Sequence, residues 1–302
     1  MKAVEAICRK FLWSGYVGES KKAPVTWEDV CRPRMEGGLN LVHLPTWNKT
    51  SMLKLLWAIH KKSDRLWVKW IHAYYIKEAQ IMNMEAPCQA SFLFKKILKC
   101  RSLISGNSEW QELLRDDHFP MKKAYLLIRP VIQKMDWRDL ILNSCATPRA
   151  KFIFWLALHR RLATKDRLHV FGVNIDETCV FCHQDRETID HLLFNCSITK
   201  SVWSQLLCWL GIPRQTGCWN QEVRVLSRAT KGKAAMARVL KVMIAETVYV
   251  VWRERNRHIF QGDHVNVQRV VRQVVYVTSC RCLCNPKLAK ICEISETYVR
   301  RS

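Results

Sequence analysis

Acidic residues are scarce in this chain: 26 Asp and Glu stand against 49 Lys and Arg, a formal net charge of +23 over 302 residues. That imbalance says little about fold, but it draws the protein to polyanions, because neutralising phosphates releases their counterions. Nucleic acid is the leading partner and an acidic membrane surface the second. A solvated basic surface without a specific partner stays open beside them. The chain also lacks a membrane-spanning run. Its longest apolar stretch, Val239 to Trp252, is interrupted by Lys241 and Glu246 and falls short of the roughly 20 residues a bilayer requires. No cleavable signal peptide is expected, since Met1 to Trp13 carries Glu5, Arg9 and Lys10. These lacks predict an intracellular protein of nucleus or cytoplasm, neither secreted nor membrane-bound. In such a reducing setting the 14 Cys are not expected as disulfides; close pairs mark metal sites and lone ones are small core residues.

Catalytic signatures are missing as well. There is no nucleophile–base pair, Gly-rich phosphate loop or carboxylate cluster, and no internal repeat. The one Asp pair, Asp116-Asp117, follows Arg115, comes just before Pro120 and reads as an exposed turn. An enzyme is therefore not expected.

With 49% hydrophobic and 10% aromatic residues the chain is not disordered and can build one to three compact units. Helical periodicity dominates, so the predicted fold class is mainly α, with few or no strands. Helices are expected over Met1 to Trp13, Trp47 to His60, from an N-cap at Ser63-Asp64 onward through Trp70 and Tyr74, Ser91 to Leu103, Met121 to Met135 and Pro148 to Leu162. Others follow from a cap at Thr164, over Ile198 to Leu210 and, longest of all, over Ala234 to Phe260. Gly18 to Pro45, broken by Pro24, Pro33 and Gly37-Gly38, reads as turns and short extended pieces, and Gly106 to Pro120 as a linker. Val265 to Cys284 is apolar and β-branched, and its pattern does not choose between helix and strand.

One cluster carries chemistry. Cys179-Val-Phe-Cys182 is followed by His191 and Cys196. Two Cys two residues apart can put both sulfurs on one ion from a tight turn, since a Zn–S bond is only about 2.3 Å long. His191 and Cys196 complete the four-coordinate sphere of a structural Zn²⁺ and leave no position for water or substrate. Phe181, Leu192, Leu193 and Phe194 supply a small core, and Asp190 is the expected partner that orients His191. Unligated thiols are the alternative, a redox CxxC lacks its βαβ setting, and His183 is a strained substitute ligand. A second group, Cys280, Cys282, Cys284 and Cys292, has no His nearby, and its metal role stays open.

The run Pro148-Arg-Ala-Lys-Phe-Ile-Phe-Trp-Leu-Ala-Leu-His-Arg-Arg-Leu-Ala-Thr-Lys-Asp-Arg-Leu168, then Cys-x2-Cys, Asp190-His-Leu-Leu-Phe-Asn-Cys196 and Trp203, resembles the zinc-binding region of plant LINE-type (non-LTR) retrotransposon reverse transcriptases. Glu36-Gly-Gly-Leu39, Leu66-Trp-Val-Lys-Trp-Ile-His-Ala-Tyr-Tyr75 and Trp252-Arg-Glu-Arg-Asn-Arg257 resemble the flanking connector and tail. The resemblance implies a helical connector over 1–105, a linker over 106–120, the zinc-binding domain over 121–212 and a basic helical tail over 213–302. It implies one zinc at Cys179, Cys182, His191 and Cys196 and contact with RNA or DNA. It implies no catalysis, because the family's Tyr/Phe-Ala-Asp-Asp loop is missing. Lys151, Arg160, Arg161, Lys165, Arg167 and Arg186, with His169 and Lys200, are the expected phosphate contacts, and Phe171 or Phe181 the stacking rings. A protein-interaction adaptor, using Trp67, Trp70 or Trp209, and an inactive relic of a decayed element are the alternatives.

Overall fold

A computed structural model of the chain describes residues 2–15, 23–104, 108–115, 117–130, 132–142, 144–232 and 234–299. Among these residues the architecture is helical, and the β pairing is confined to an isolated antiparallel bridge between Thr178 and Arg186. The mainly α expectation holds. The chain divides into two compact units, one of 1–23 with 40–133 and one of 24–39 with 134–302.

In the first unit, the helices Leu44–His60, Phe92–Lys99, Ser108–Arg115 and Met121–Ile128 share one core. Leu53, Leu56 and Ile59 of the first meet Phe94, Ile97, Leu98, Leu113 and Ala124 of the others. Helix Leu66–Ile71 begins behind Arg65, two residues later than a cap at Ser63 would set it, and continues as a π-helical turn over His72–Ile76. The expected linker at 106–120 contains the helix Ser108–Arg115, with Trp110 and Leu113 buried in the core. Three apolar positions, Trp110, Leu113 and Leu114, among Glu109, Gln111 and Glu112 make too short a pattern to announce it. Gly106 and Asp116 lie outside the described residues, and Asp117 is exposed. Met121–Ile128 stops ahead of Pro130 instead of reaching Met135, with Arg129 extended at ψ 138°. A proline pushes the residue before it out of helical geometry.

The second unit is built on the helix Ala235–Gln261, against which Pro148–Leu158, Val267–Leu283 and Pro286–Val299 pack. The central helix is apolar around much of its circumference, from Val239 to Val251, as a helix enclosed by neighbours must be. Its two interrupting charges are buried too. Glu246 accepts the Thr147 backbone N–H at 2.6 Å and its hydroxyl at 3.3 Å. It thereby braces the N-cap of Pro148–Leu158, where the Thr147 hydroxyl accepts the Ala150 N–H. Lys241 reaches the Leu142 carbonyl at 3.4 Å, and burial pushes its ammonium pKa down. Val267–Leu283 resolves as a helix. Asn266 caps it, and Val270, Val274, Thr278 and Cys282, spaced by four, form its buried stripe.

Gly37 and Gly38 turn the 24–39 segment onto this unit. Gly37 has φ +86°, and a Cβ there would sit 3.0 Å from Met135 and Trp137; at Gly38 it would lie 2.0 Å from the Arg32 carbonyl oxygen. The Gly37 carbonyl accepts both the Trp155 indole N–H and His159 Nε2–H at 2.7 Å. The Gly-Gly motif is thus required sterically by Met135, Trp137 and the Arg32 backbone, and it sets the carbonyl that holds Trp155 and His159.

Candidate metal centre

The four candidate ligands come from two local devices. The first is a short hairpin. The Cys179 N–H donates to the Asp185 carbonyl and the Glu187 N–H to the Glu177 carbonyl, both at 2.7 Å, around the Thr178–Arg186 bridge. The turn inside it is closed by the His183 N–H on the Cys179 carbonyl at 3.0 Å, with His183 at φ +53°. This places Cys179 and Cys182 on one side of the turn. The second device begins at Thr188, whose hydroxyl accepts the His191 N–H at 3.1 Å. A π-helical turn over His191–Asn195 follows, and Cys196 then caps the helix Ser197–Trp209.

The Sγ atoms of Cys179 and Cys196 lie 3.9 Å apart, and Cys182 Sγ lies 3.2 Å from His191 Nε2. All four ligand atoms fall within 4.8 Å of one another. A tetrahedron with Zn–S bonds of about 2.3 Å and a Zn–N bond of about 2.0 Å has edges of roughly 3.8 Å between sulfurs and 3.5 Å between sulfur and nitrogen. The arrangement therefore fits a zinc ion with little adjustment. Cys179, His191 and Cys196 are buried and Cys182 is half-buried, on a floor of Phe181, Leu192, Leu193 and Phe194, all buried as expected. The Cys179 thiol donates to Cys196, which holds the Cys196 sulfur below the usual thiol range. Burial opposes this shift, and the Thr199 and Ile198 backbone groups at the helix N-terminus add to it. The same bond, with burial, pushes the Cys179 thiol up.

The residue set against His191 differs from expectation. Asp190 faces away, held by Arg160 through two bonds of 2.7 and 3.0 Å. The carboxylate 3.5 Å from His191 Nδ1 is that of Asp185, six residues earlier on the hairpin. Sequence adjacency favours Asp190, but consecutive residues of a helical turn point in different directions, and the Asp190 carboxylate is taken by Arg160. His183 stays outside the cluster, its ring 6.2 Å from that of His258.

Sequence reasoning also missed Glu187, which joins the metal hairpin to the central helix. Its side chain is fully buried and accepts Arg255 Nη2 at 2.7 Å, Arg255 Nε at 3.1 Å and the Lys165 backbone N–H at 3.0 Å. A readable signal did exist. Val248, Val251 and Arg255 follow one helical stripe, so Arg255 belongs to the buried face and not to the basic surface of Arg253 and Arg257.

The expected phosphate contacts separate into two groups. Arg160 holds Asp190 and Asn220, Lys165 donates to the Thr178 carbonyl at 2.8 Å, Arg167 donates to the Arg160 carbonyl at 2.7 Å, and Arg186 pairs with Glu177. Their positive charge partly serves local structure. Arg161 and Lys200 are exposed and Lys151 is half-buried, and none of the three forms an ion pair among the described residues. Phe181 is buried and unavailable for stacking; Phe171 is half-exposed beneath the Arg167 guanidinium.

Fold and site together define a helical protein whose Cys3His cluster can hold zinc. Residues 119–203 match the family model described as zinc-binding in reverse transcriptase, a span that takes in all four clustered residues and bears out the resemblance. The match is to a zinc-binding region and not to a polymerase domain. A stretch of 67 residues is 28% identical to an Arabidopsis thaliana protein whose name assigns it to ribonuclease H, covering 22% of this chain and 11% of that protein. No solved structure matches the chain. No described helix is long and apolar enough to cross a membrane.

Proposed function

We propose that this chain is a non-catalytic, nucleic-acid-binding segment of a LINE-type retrotransposon polyprotein, held in shape by a single structural zinc ion. The observation that carries the reading is the closed Cys3His set inside the matched span. Cys179, Cys182, His191 and Cys196 would all bind the ion. It would supply folding energy to a hairpin whose own apolar floor is only a few residues deep. The zinc-binding domain then covers 121–212, between a connector at 1–105 and a basic tail at 213–302.

Of the expected contacts, Lys151, Arg161 and Lys200 are the cations freest to meet phosphates, with Arg160, Lys165, Arg167 and Arg186 adding positive field. Excess positive charge supports the reading. The test is affinity for labelled single-stranded RNA and DNA as a function of salt. Six phosphate contacts would weaken single-strand binding about 300-fold between 50 and 200 mM salt. A flat salt dependence overturns the nucleic-acid role.

A further inference from the structure

In the first unit, the segment running from Leu66 through the π-helical turn at His72–Ile76 carries an aromatic group that its own core does not use. Trp70 and Tyr74 are 54% and 55% exposed, and their rings stack 6° from parallel with centroids 5.3 Å apart. Tyr75 stands edge-on to both, at 5.3 Å from Trp70 and 4.9 Å from Tyr74. Tyr75 is itself stacked at 5.0 Å on Phe94, which is buried in the core. The exposed pair is therefore braced from the interior through one half-buried ring.

The widened turn makes this possible. A π-helix takes more than four residues per turn, so the residues four and five after Trp70 both reach its ring. Such turns recur at functional sites. The surroundings are cationic: Lys61, Lys62, Arg65, Lys69 and Lys77 are exposed, against Asp64 and Glu78 on the same segment. Of these cations Lys69 pairs with the exposed Asp64.

We propose that Trp70 and Tyr74 form a stacking platform for unpaired bases of a single-stranded nucleic acid, with Arg65, Lys69 and Lys77 along its phosphates. Flat ring faces held in place at low ordering cost, beside cations, are what bind single strands with little sequence preference. Leu66, four residues before Trp70 and 88% exposed, would suit a membrane surface as well, but near-parallel rings braced from the core favour bases as the occupant. The proposal rests on the nucleic-acid reading above and places a contact in a second region, separate from the zinc centre.

The test compares the full-length, zinc-loaded chain with its Trp70→Ala/Tyr74→Ala and Trp70→Phe/Tyr74→Phe variants. Anisotropy of labelled oligo(U) and of an RNA duplex is measured, with melting temperature as the control for folding. The alanine pair should bind oligo(U) roughly 10- to 100-fold more weakly, with duplex affinity, salt slope and melting unchanged. The phenylalanine pair, which keeps two ring faces, should recover most of the loss. Equal oligo(U) binding by wild type and the alanine pair overturns the platform and leaves the zinc-region reading standing. So does an equal loss for duplex and single strand, or a change only in self-association. A wild-type chain that binds neither probe overturns both proposals.

Discussion

The chain has two cysteine-rich stretches, and they behave in opposite ways. Cys179, Cys182 and Cys196 converge with His191 because a tight turn and a helix start point them at one spot. Cys280 and Cys282 lie in the helix Val267–Leu283 and Cys284 caps its end, at every second position, where helical side chains are about 200° apart. Accordingly Cys280 and Cys284 are exposed while Cys282 is buried, beside the buried Cys292 of the next helix. Cysteine density does not make a metal site. Backbone geometry that lets the sulfurs share a centre does.

The strongest way to break that comparison is to remove one ligand from each stretch. Cys182→Ala or His191→Ala should abolish bound zinc, measured by metal analysis, and chelation of the wild type should melt the same region. Structural zinc in small modules contributes on the order of 10 kcal/mol of apparent binding energy, so partial retention of structure is not expected. Either variant keeping full metal content would show that the ligand set is wrong.

Next in size is Glu187→Ala, which leaves the Arg255 guanidinium buried without its partner. A loss of about 3–5 kcal/mol is expected, read from denaturant unfolding. Replacing Arg255 by Met in the same chain should restore part of it. If Glu187→Ala alone is neutral, the hairpin does not depend on the central helix.

A smaller effect separates the two candidate carboxylates. Asp185→Ala should weaken zinc binding roughly 10-fold, through loss of the group facing His191 Nδ1. Asp190→Ala should release Arg160 and leave zinc affinity unchanged. Competition with a chromogenic chelator measures both, and the reverse pattern would return the role to Asp190. The smallest change sharpens the comparison from its other side. Cys280→Ala and Cys284→Ala, at an exposed helix position and an exposed C-cap, should alter stability by no more than about 0.5 kcal/mol and leave metal content unchanged.

Much of the helical layout was legible because long apolar periodicity survives in any context. The helices at Leu44–His60, Pro148–Leu158, Ser197–Trp209 and Ala235–Gln261 lie within a few residues of where the pattern put them. Short elements were not legible. Ser108–Arg115 is two turns long, with Trp110 and Leu113 in the core, and Val267–Leu283 is β-branched enough to resemble a strand until Asn266 is seen to cap it. The Glu36-Gly-Gly-Leu39 motif stood out as a family likeness, but its cause, the pressure of Met135, Trp137 and Arg32 on two Cβ positions, required the folded chain.

By itself the sequence determined which four residues can share an ion, because chelation from a tight turn depends on spacing along a few residues. It also set the positive charge, which is a matter of composition. Only the tertiary structure decided where the scarce acids go. Glu187, Glu222 and Glu246 are all at or below 1% exposed. Glu187 and Glu246 hold Arg255 and the Thr147 cap, across separations of 68 and 99 residues. Glu222 gathers Trp203, Arg214 and Gly217. A buried carboxylate is tolerated only where enough donors converge on it. For Glu187 and Glu246 those donors come from distant segments, so no local pattern could mark them.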